Sequence, residues 1–217
     1  YDASLSATLN TGSAAFVGVE SGDTVTINAG SATGAFADKT IGAGKTVQVS
    51  GVTKSGADAG NYTITQPSTT ADITAKTLTV SGITAANKTY NASTVATLNT
   101  GSAAFVGVES GDTVTIGVGS ATGAFADKTI GAGKTVQISG VTKSGADAGN
   151  YTITQPTTTA TITAKSLTVT GITAANRVYD ASTTATLSTG SAAFVGVESG
   201  DTVTIGVGSA TGAFADK

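Results

Sequence analysis

The chain has no cysteine, no histidine, no methionine and no tryptophan, and only 12% of its 217 residues are charged. Without cysteine there is no disulfide scaffold and no thiolate metal site. Without histidine the commonest acid–base catalyst and metal ligand is also gone. Without methionine, Tyr1 is not a translation start, and the chain is expected to be part of something longer. The net charge of −3 comes with no basic cluster, so nothing drives binding to nucleic acid or anionic lipid. No apolar run approaches the roughly 18 residues that span a bilayer, and no stretch has the form of a signal peptide. The missing cysteines leave the compartment open, and they suit an exported protein that stays unfolded during translocation.

What is present is glycine (29 residues), abundant Thr, Ser and Ala, and 39% hydrophobic residues. Disordered chains combine low hydrophobicity with high net charge, and this chain has neither. Its apolar residues are largely Val, Ile and Ala, which suit pleated, half-buried surfaces. "YDAS" at Tyr1 returns as "YNAS" at Tyr90 and "YDAS" at Tyr179, a period of 89 residues (90 − 1, and again 179 − 90). "TGSAAFVGVESGDTVTI" recurs unchanged from Thr11, Thr100 and Thr189. Such a period is too long for a solenoid unit and fits a small domain repeated in tandem.

Within one period, short alternating stretches lie between Gly-rich turns. In the second copy these are Lys76–Ala85, Thr94–Asn99, Asp112–Val118, Thr122–Ala126, Lys134–Val141, Asn150–Thr154 and Thr159–Ala164. Gly-Asp, Gly-Ala-Gly and Ser-Gly are read as the turns. The predicted core is Leu78, Val80, Leu98, Phe105, Val114, Ile116, Phe125, Val136, Ile138, Tyr151 and Ile153. "GADAGNYTIT" appears twice, and its Asp-x-Gly-x-Tyr ahead of a strand has the pattern of a tyrosine corner in immunoglobulin-like sandwiches. The corner residues are Asp58, Gly60 and Tyr62 in one copy and Asp147, Gly149 and Tyr151 in the next. The Tyr hydroxyl is expected to bond back to the turn's backbone, with Gly permitting close approach and Asp capping the turn. The plainer reading is a core aromatic after a polar turn.

"ITAKTLTV" (Ile73–Val80) and "ITAKSLTV" (Ile162–Val169) read as a last strand running into the next first strand, with no flexible linker. The expected organisation is therefore repeat 1 over 1–75 without its first strand, a complete repeat 2 over 76–164, and a truncated repeat 3 over 165–217. The fold expected is all-β: tandem immunoglobulin-like antiparallel β-sandwich domains arranged end to end, advancing on the order of 40 Å per unit.

"AANKTYNASTVATL", "GVESGDTVTI", "ATGAFADKTIGAGKTVQISGVTKSGADAGNYTIT" and "ITAKSLTV" resemble the YDG domain, found in tandem in large bacterial surface adhesins of the filamentous-haemagglutinin type. The resemblance covers the whole chain. It departs in the triplet itself, where Tyr-Asp-Ala or Tyr-Asn-Ala stands in place of Tyr-Asp-Gly. It implies a secreted or outer-surface protein exported by an outer-membrane partner, with no catalytic activity.

The acids of the second copy are few. Glu109 and Asp112 flank a Ser-Gly turn and form the one thinkable carboxylate pair; a solvated hairpin turn explains them as well. "GVESGD" and "GADAGN" could offer carboxylates to calcium, but no Asp-x-Asp-x-Asp loop is present, and no cofactor is expected. A Lys134–Asn150 isopeptide crosslink is conceivable, though no spacing selects it, and Lys134 reads as a strand-edge residue. Thr113/Thr115 and Thr152/Thr154 could form flat ladders for ice or crystalline glycans, or simply face solvent. The function expected is a structural stalk or fibre segment of an adhesin at the cell surface, holding a distal binding region or building extracellular matrix. Its partners are neighbouring repeats and other copies of the fibre. The alternatives are a repeat that itself binds glycan or a neighbouring fibre, for which the tyrosines at 1, 90 and 179 look buried, and a repetitive hydrolase.

Overall fold

The computed structural model describes Tyr1–Asp216. It is all β, with strands of two to nine residues and two single-turn 3-10 helices, Ala59–Asn61 and Ala148–Asn150. No helix among the described residues is long and apolar enough to cross a membrane. The chain forms two compact units that do not follow the 89-residue period, because the middle copy contributes strands to both.

The first unit comprises Tyr1–Ile83, Thr100–Ala121 and Ser139–Pro156. Its largest sheet orders Ser6–Ala7, Thr33–Phe36, Gly42–Ser50 and Ser68–Ile73. A second sheet places Lys76–Ser81 between Ala104–Val106 and Tyr151–Ile153. Two ribbons, Thr26–Asn28 with Thr53–Ser55 and Thr115–Gly117 with Thr142–Ser144, complete it. The second unit holds a five-stranded sheet in the order Val95–Ala96, Thr122–Phe125, Gly131–Ser139, Thr157–Thr163, Lys88–Thr89. Its remaining strands pair as short ribbons, among them Thr168–Thr170 with Ala193–Val195.

Alternation places the core. Along Gly131–Ser139, Val136 and Ile138 point inward and Gln137 outward. Ala96, Phe125, Val136, Ala160 and Ile162 form a buried cluster with Ala85, Tyr90 and Leu98 packed against it. Each fully buried large aliphatic side chain contributes about 1.5–3 kcal/mol. Gly123 is small because a Cβ there would lie 2.6 Å from Leu98 Cδ2. Of the predicted core, Leu78, Phe125, Val136, Ile138 and Tyr151 are fully buried; Val80, Leu98, Phe105, Val114, Ile116 and Ile153 are half-buried.

Three expectations are corrected. The arrangement is not purely antiparallel: Tyr151–Ile153 runs parallel to Lys76–Ser81, and Thr157–Thr163 parallel to Lys88–Thr89. Gly-Ala-Gly is not a turn. It lies inside a nine-residue strand, where the register shifts between Gly131 and Lys134. Gly133 sits at φ 59°, so the motif is a β-bulge that needs a residue tolerant of positive φ. The long stretch Lys76–Ala85 breaks at Gly82 into Lys76–Ser81 and Thr84–Ala85.

The "YDAS" turn has a residue-by-residue account. Asp2 Oδ1 accepts from the Ser4 amide at 3.0 Å, and Ser4 Oγ from the Ser6 amide at 3.0 Å. The same two bonds recur at Asn91–Ser93–Val95 and at Asp180–Ser182–Thr184. These nested Asx and Ser turns force the residue between them left-handed: Ala3, Ala92 and Ala181 have φ of 58°, 57° and 60°. A left-handed L-residue costs about 1–2 kcal/mol, which is why glycine suits this position. Ala92→Gly is therefore expected to stabilise the protein by about 0.5–1 kcal/mol, after the offset from a more flexible unfolded chain. A urea midpoint that stays level or falls would contradict this.

Candidate functional site: a tyrosine–aspartate–lysine clasp between copies

The tyrosines of "GADAGNY" do not bond to their own turn. Tyr151 Oη accepts from the Glu109 amide at 3.0 Å and donates to Asp112 Oδ2 at 2.7 Å. Tyr62 does the same with the Glu20 amide at 2.9 Å and Asp23 Oδ2 at 2.7 Å. Each tyrosine thus holds the distant "ESGD" turn. The aspartates also reach away: Asp58 Oδ2 accepts from the Thr24 amide and Asp147 Oδ2 from the Thr113 amide, both at 2.8 Å. Neither caps its own 3-10 turn. Gly60 and Gly149 meet nothing within 4 Å at an added Cβ, so they are not the close-approach glycines. That role falls to Gly145, at φ 114° with a Cβ position 2.4 Å from the Thr113 carbonyl, and to Gly56 in the first copy.

The carboxylate that Tyr151 holds is also the meeting point of two copies. Asp112 Oδ2 accepts from Tyr1 Oη at 2.5 Å, and Oδ1 from Lys39 Nζ at 2.6 Å. The Asp112 side chain is fully buried. Tyr1 and Lys39 belong to the first "YDAS" and "FADK", whereas Asp112 and Tyr151 belong to the second copy. The Tyr1 and Tyr151 rings meet edge-on, centroids 5.3 Å apart, an arrangement worth about 0.5–1.5 kcal/mol beyond area burial. Beside them Asn150 Oδ1 accepts from the Ile41 amide at 3.2 Å. Asn150 is buried, while its first-copy equivalent, Asn61, is exposed.

The motif repeats one period later. Tyr90 Oη donates to Asp201 Oδ2 at 2.6 Å, and Lys128 Nζ to Asp201 Oδ1 at 2.8 Å. Lys128 also lies 5.9 Å from the Tyr90 ring centroid. In the third copy Tyr179 is 75% exposed and has no hydroxyl partner among the described residues.

Electrostatics follow the geometry. Burial pushes the Asp112 carboxyl up, but bonds from Lys39, Tyr1 and Tyr151, together with the Lys39 charge, outweigh it and bring the pKa down to about 2. Burial and the bond to Asp112 push the Tyr151 phenol up to about 12, against the opposing bond from the Glu109 amide. The Lys128 and Tyr90 bonds lower Asp201 against the effect of burial. A depressed carboxylate contributes stability above its unfolded value near 4 and loses it as pH falls through the folded value. A raised phenol contributes below about 10 and loses it as pH rises further. Thermal stability is thus expected to hold through neutral pH, to fall between about pH 4 and 2, and to fall again above about 10. Asp112→Asn makes the acid limb shallower without removing it. Asp38 and Asp127, held at about 2 by bonds from Lys45 and Lys134 and from Thr40 and Thr129, still titrate there. An unchanged acid limb in Asp112→Asn would contradict the assignment.

The other sequence candidates are placed as follows. Glu109 pairs with Lys76 and Asp112 with Lys39, so the two acids do not act as a pair. Lys134 pairs with Asp127. Thr113, Thr115, Thr152 and Thr154 face outward, and Thr152 Oγ1 meets Thr77 Oγ1 at 2.9 Å across the parallel pair. Tyr1 and Tyr90 are half-buried, whereas Tyr179 is exposed, contrary to the expectation that all three are covered. Sequence reasoning had no role for Lys39 or Lys128. Their signal was the unvaried "FADK", whose partner lies a copy away.

A YDG domain is matched three times along the chain, over residues 1–71, 74–160 and 163–217. No curated protein and no solved structure matches it.

Proposed function

Because the chain belongs to the YDG-domain family over nearly all its length, we propose that it is a structural segment of a large repetitive bacterial surface adhesin of the filamentous-haemagglutinin type. In this reading the protein is secreted and displayed outside the cell. In this reading the 89-residue repeats build immunoglobulin-like sandwiches whose strands are shared between successive copies. Their task is mechanical: to project a distal binding region or to build extracellular fibre, without catalysis.

The observation that carries this reading is the use of the repeated polar residues. The tyrosine of "YDAS", the lysine of "FADK", the aspartate of "ESGD" and the tyrosine of "GNY" are spent on one another across a joint, at Asp112 and again in part at Asp201. A buried carboxylate held by two phenols and an ammonium is committed to joining two copies. Force spectroscopy on the chain within a polyprotein tests this. Discrete unfolding steps, at forces lowered by Asp112→Ala, agree with a mechanical role. Smooth extension without steps would contradict it.

A further inference from the structure

The side chains that oxidise most readily in proteins are nearly all missing here. Cysteine, methionine, tryptophan and histidine are absent, and five tyrosines remain. An oxidant that removes single electrons is therefore left with tyrosine. Two of the five stand in contact. The rings of Tyr1 and Tyr151 meet with centroids 5.3 Å apart and planes at 74°. Both hydroxyls donate to one oxygen, Asp112 Oδ2, at 2.5 and 2.7 Å. No other two tyrosines make ring contact among the described residues. The placement of Tyr1 belongs to its motif, because Tyr90 and Lys128 meet Asp201 just as Tyr1 and Lys39 meet Asp112.

This geometry favours one reaction. A phenol that loses an electron becomes a strong acid, and here a carboxylate already accepts its hydrogen bond, so the proton passes along that bond as the electron leaves. Lys39 on Oδ1 keeps the carboxylate in place. A phenoxyl radical carries unpaired electron density on the Cε carbons beside its oxygen. Two hydroxyls on a single oxygen bring those carbons of the two rings together. Steeply inclined ring planes suit a biaryl bond, whose rings twist out of a common plane. Tyr1 is half-buried and gives up the first electron, whereas Tyr151 is 2% exposed and shielded from competing reactants. Contact held by the fold replaces a chance encounter between two radicals.

We propose that Tyr1 and Tyr151 form a dityrosine crosslinking site, at which a peroxide-derived one-electron oxidant makes the clasp between successive copies covalent. Each phenol loses one electron and one proton, and a carbon–carbon bond forms between a Cε of each ring. The two ring protons at those carbons then move to the oxygens, restoring both phenols. The net loss of two electrons and two protons converts one peroxide into two waters. This goes beyond the stalk reading and does not depend on it, since unfolding steps are expected with or without the crosslink.

Photo-oxidation of the full chain at low concentration, with a ruthenium tris-bipyridyl complex and persulfate, tests it. Persulfate takes the two electrons and leaves as two sulfates. A Tyr179→Phe background removes the exposed tyrosine, which would otherwise couple chains to one another. The expected product is a single chain lighter by two hydrogens, with blue dityrosine fluorescence and a linked peptide pair carrying residues 1 and 151. Tyr1→Phe and Tyr151→Phe, which keep each ring, should both abolish it, Tyr62→Phe should leave it, and urea should suppress it. Absence of the 1–151 pair from the folded chain would overturn the proposal. So would crosslinks spread over other tyrosines, or a yield equal in urea.

Discussion

Replacing Asp112 with alanine is expected to destabilise the protein by about 2–4 kcal/mol, because it strands two phenols and an ammonium that share one buried carboxylate. The figure sits below that for a wholly buried ion pair because Lys39 is 37% exposed and reaches water when released. For a chain of this length the shift is roughly 6–12 °C in the melting temperature. The repeat supplies its own controls. Asp201 holds one tyrosine and one lysine, and its side chain is 20% exposed. Among the described residues the Asp23 carboxylate is seen to hold Tyr62. The expected order of loss is therefore Asp112→Ala, then Asp201→Ala, then Asp23→Ala. The three aspartates sit in identical "GVESGD" sequences, so local propensity cannot produce the gradient. Equal losses at all three positions would mean that the carboxylate serves only its own turn.

The second large effect separates two glycines in one motif. Gly145→Ala is expected to cost about 3 kcal/mol or more, and Gly149→Ala nothing, or a gain of up to about 1 kcal/mol. Gly145 has φ 114°, and its Cβ would lie 2.4 Å from the Thr113 carbonyl, a backbone atom that cannot rotate away. That carbonyl also accepts the Asp147 amide at 3.2 Å, so retreat would break the bond joining the two loops. Gly149 lies in the 3-10 turn at negative φ with open space around it, and alanine there only stiffens the unfolded chain. Chemical denaturation of the two variants decides between them. Equal losses would show that the close approach at Thr113 is not what Gly145 is for.

Those glycines also mark how far the sequence can be read. Val136, Ile138 and Phe125 were legible because period-2 alternation and burial are the same fact seen twice. Tyr151 was legible as a buried aromatic next to a strand. Its hydroxyl partner was not, since the Glu109 amide and Asp112 lie 42 and 39 residues upstream in a turn that looks like any solvated hairpin. Gly-Ala-Gly was read as a turn because composition signals positive φ but not whether the chain then reverses or merely bulges. The parallel pairs were invisible for a related reason: alternation fixes which face a residue takes and says nothing of the partner's direction. The clasp was the least legible feature. Its halves lie in different copies, and a near-identical repeat conceals which copy each residue serves.

The central claim is that Lys39 and Asp112, 73 residues apart and in successive copies, are energetically joined. A double-mutant cycle of Lys39→Met and Asp112→Asn in urea unfolding measures it directly. A coupling of about 1 kcal/mol or more is predicted, as expected for contacting charges at a buried carboxylate. Effects that add to within about 0.3–0.5 kcal/mol, the behaviour of independent sites, would contradict the clasp.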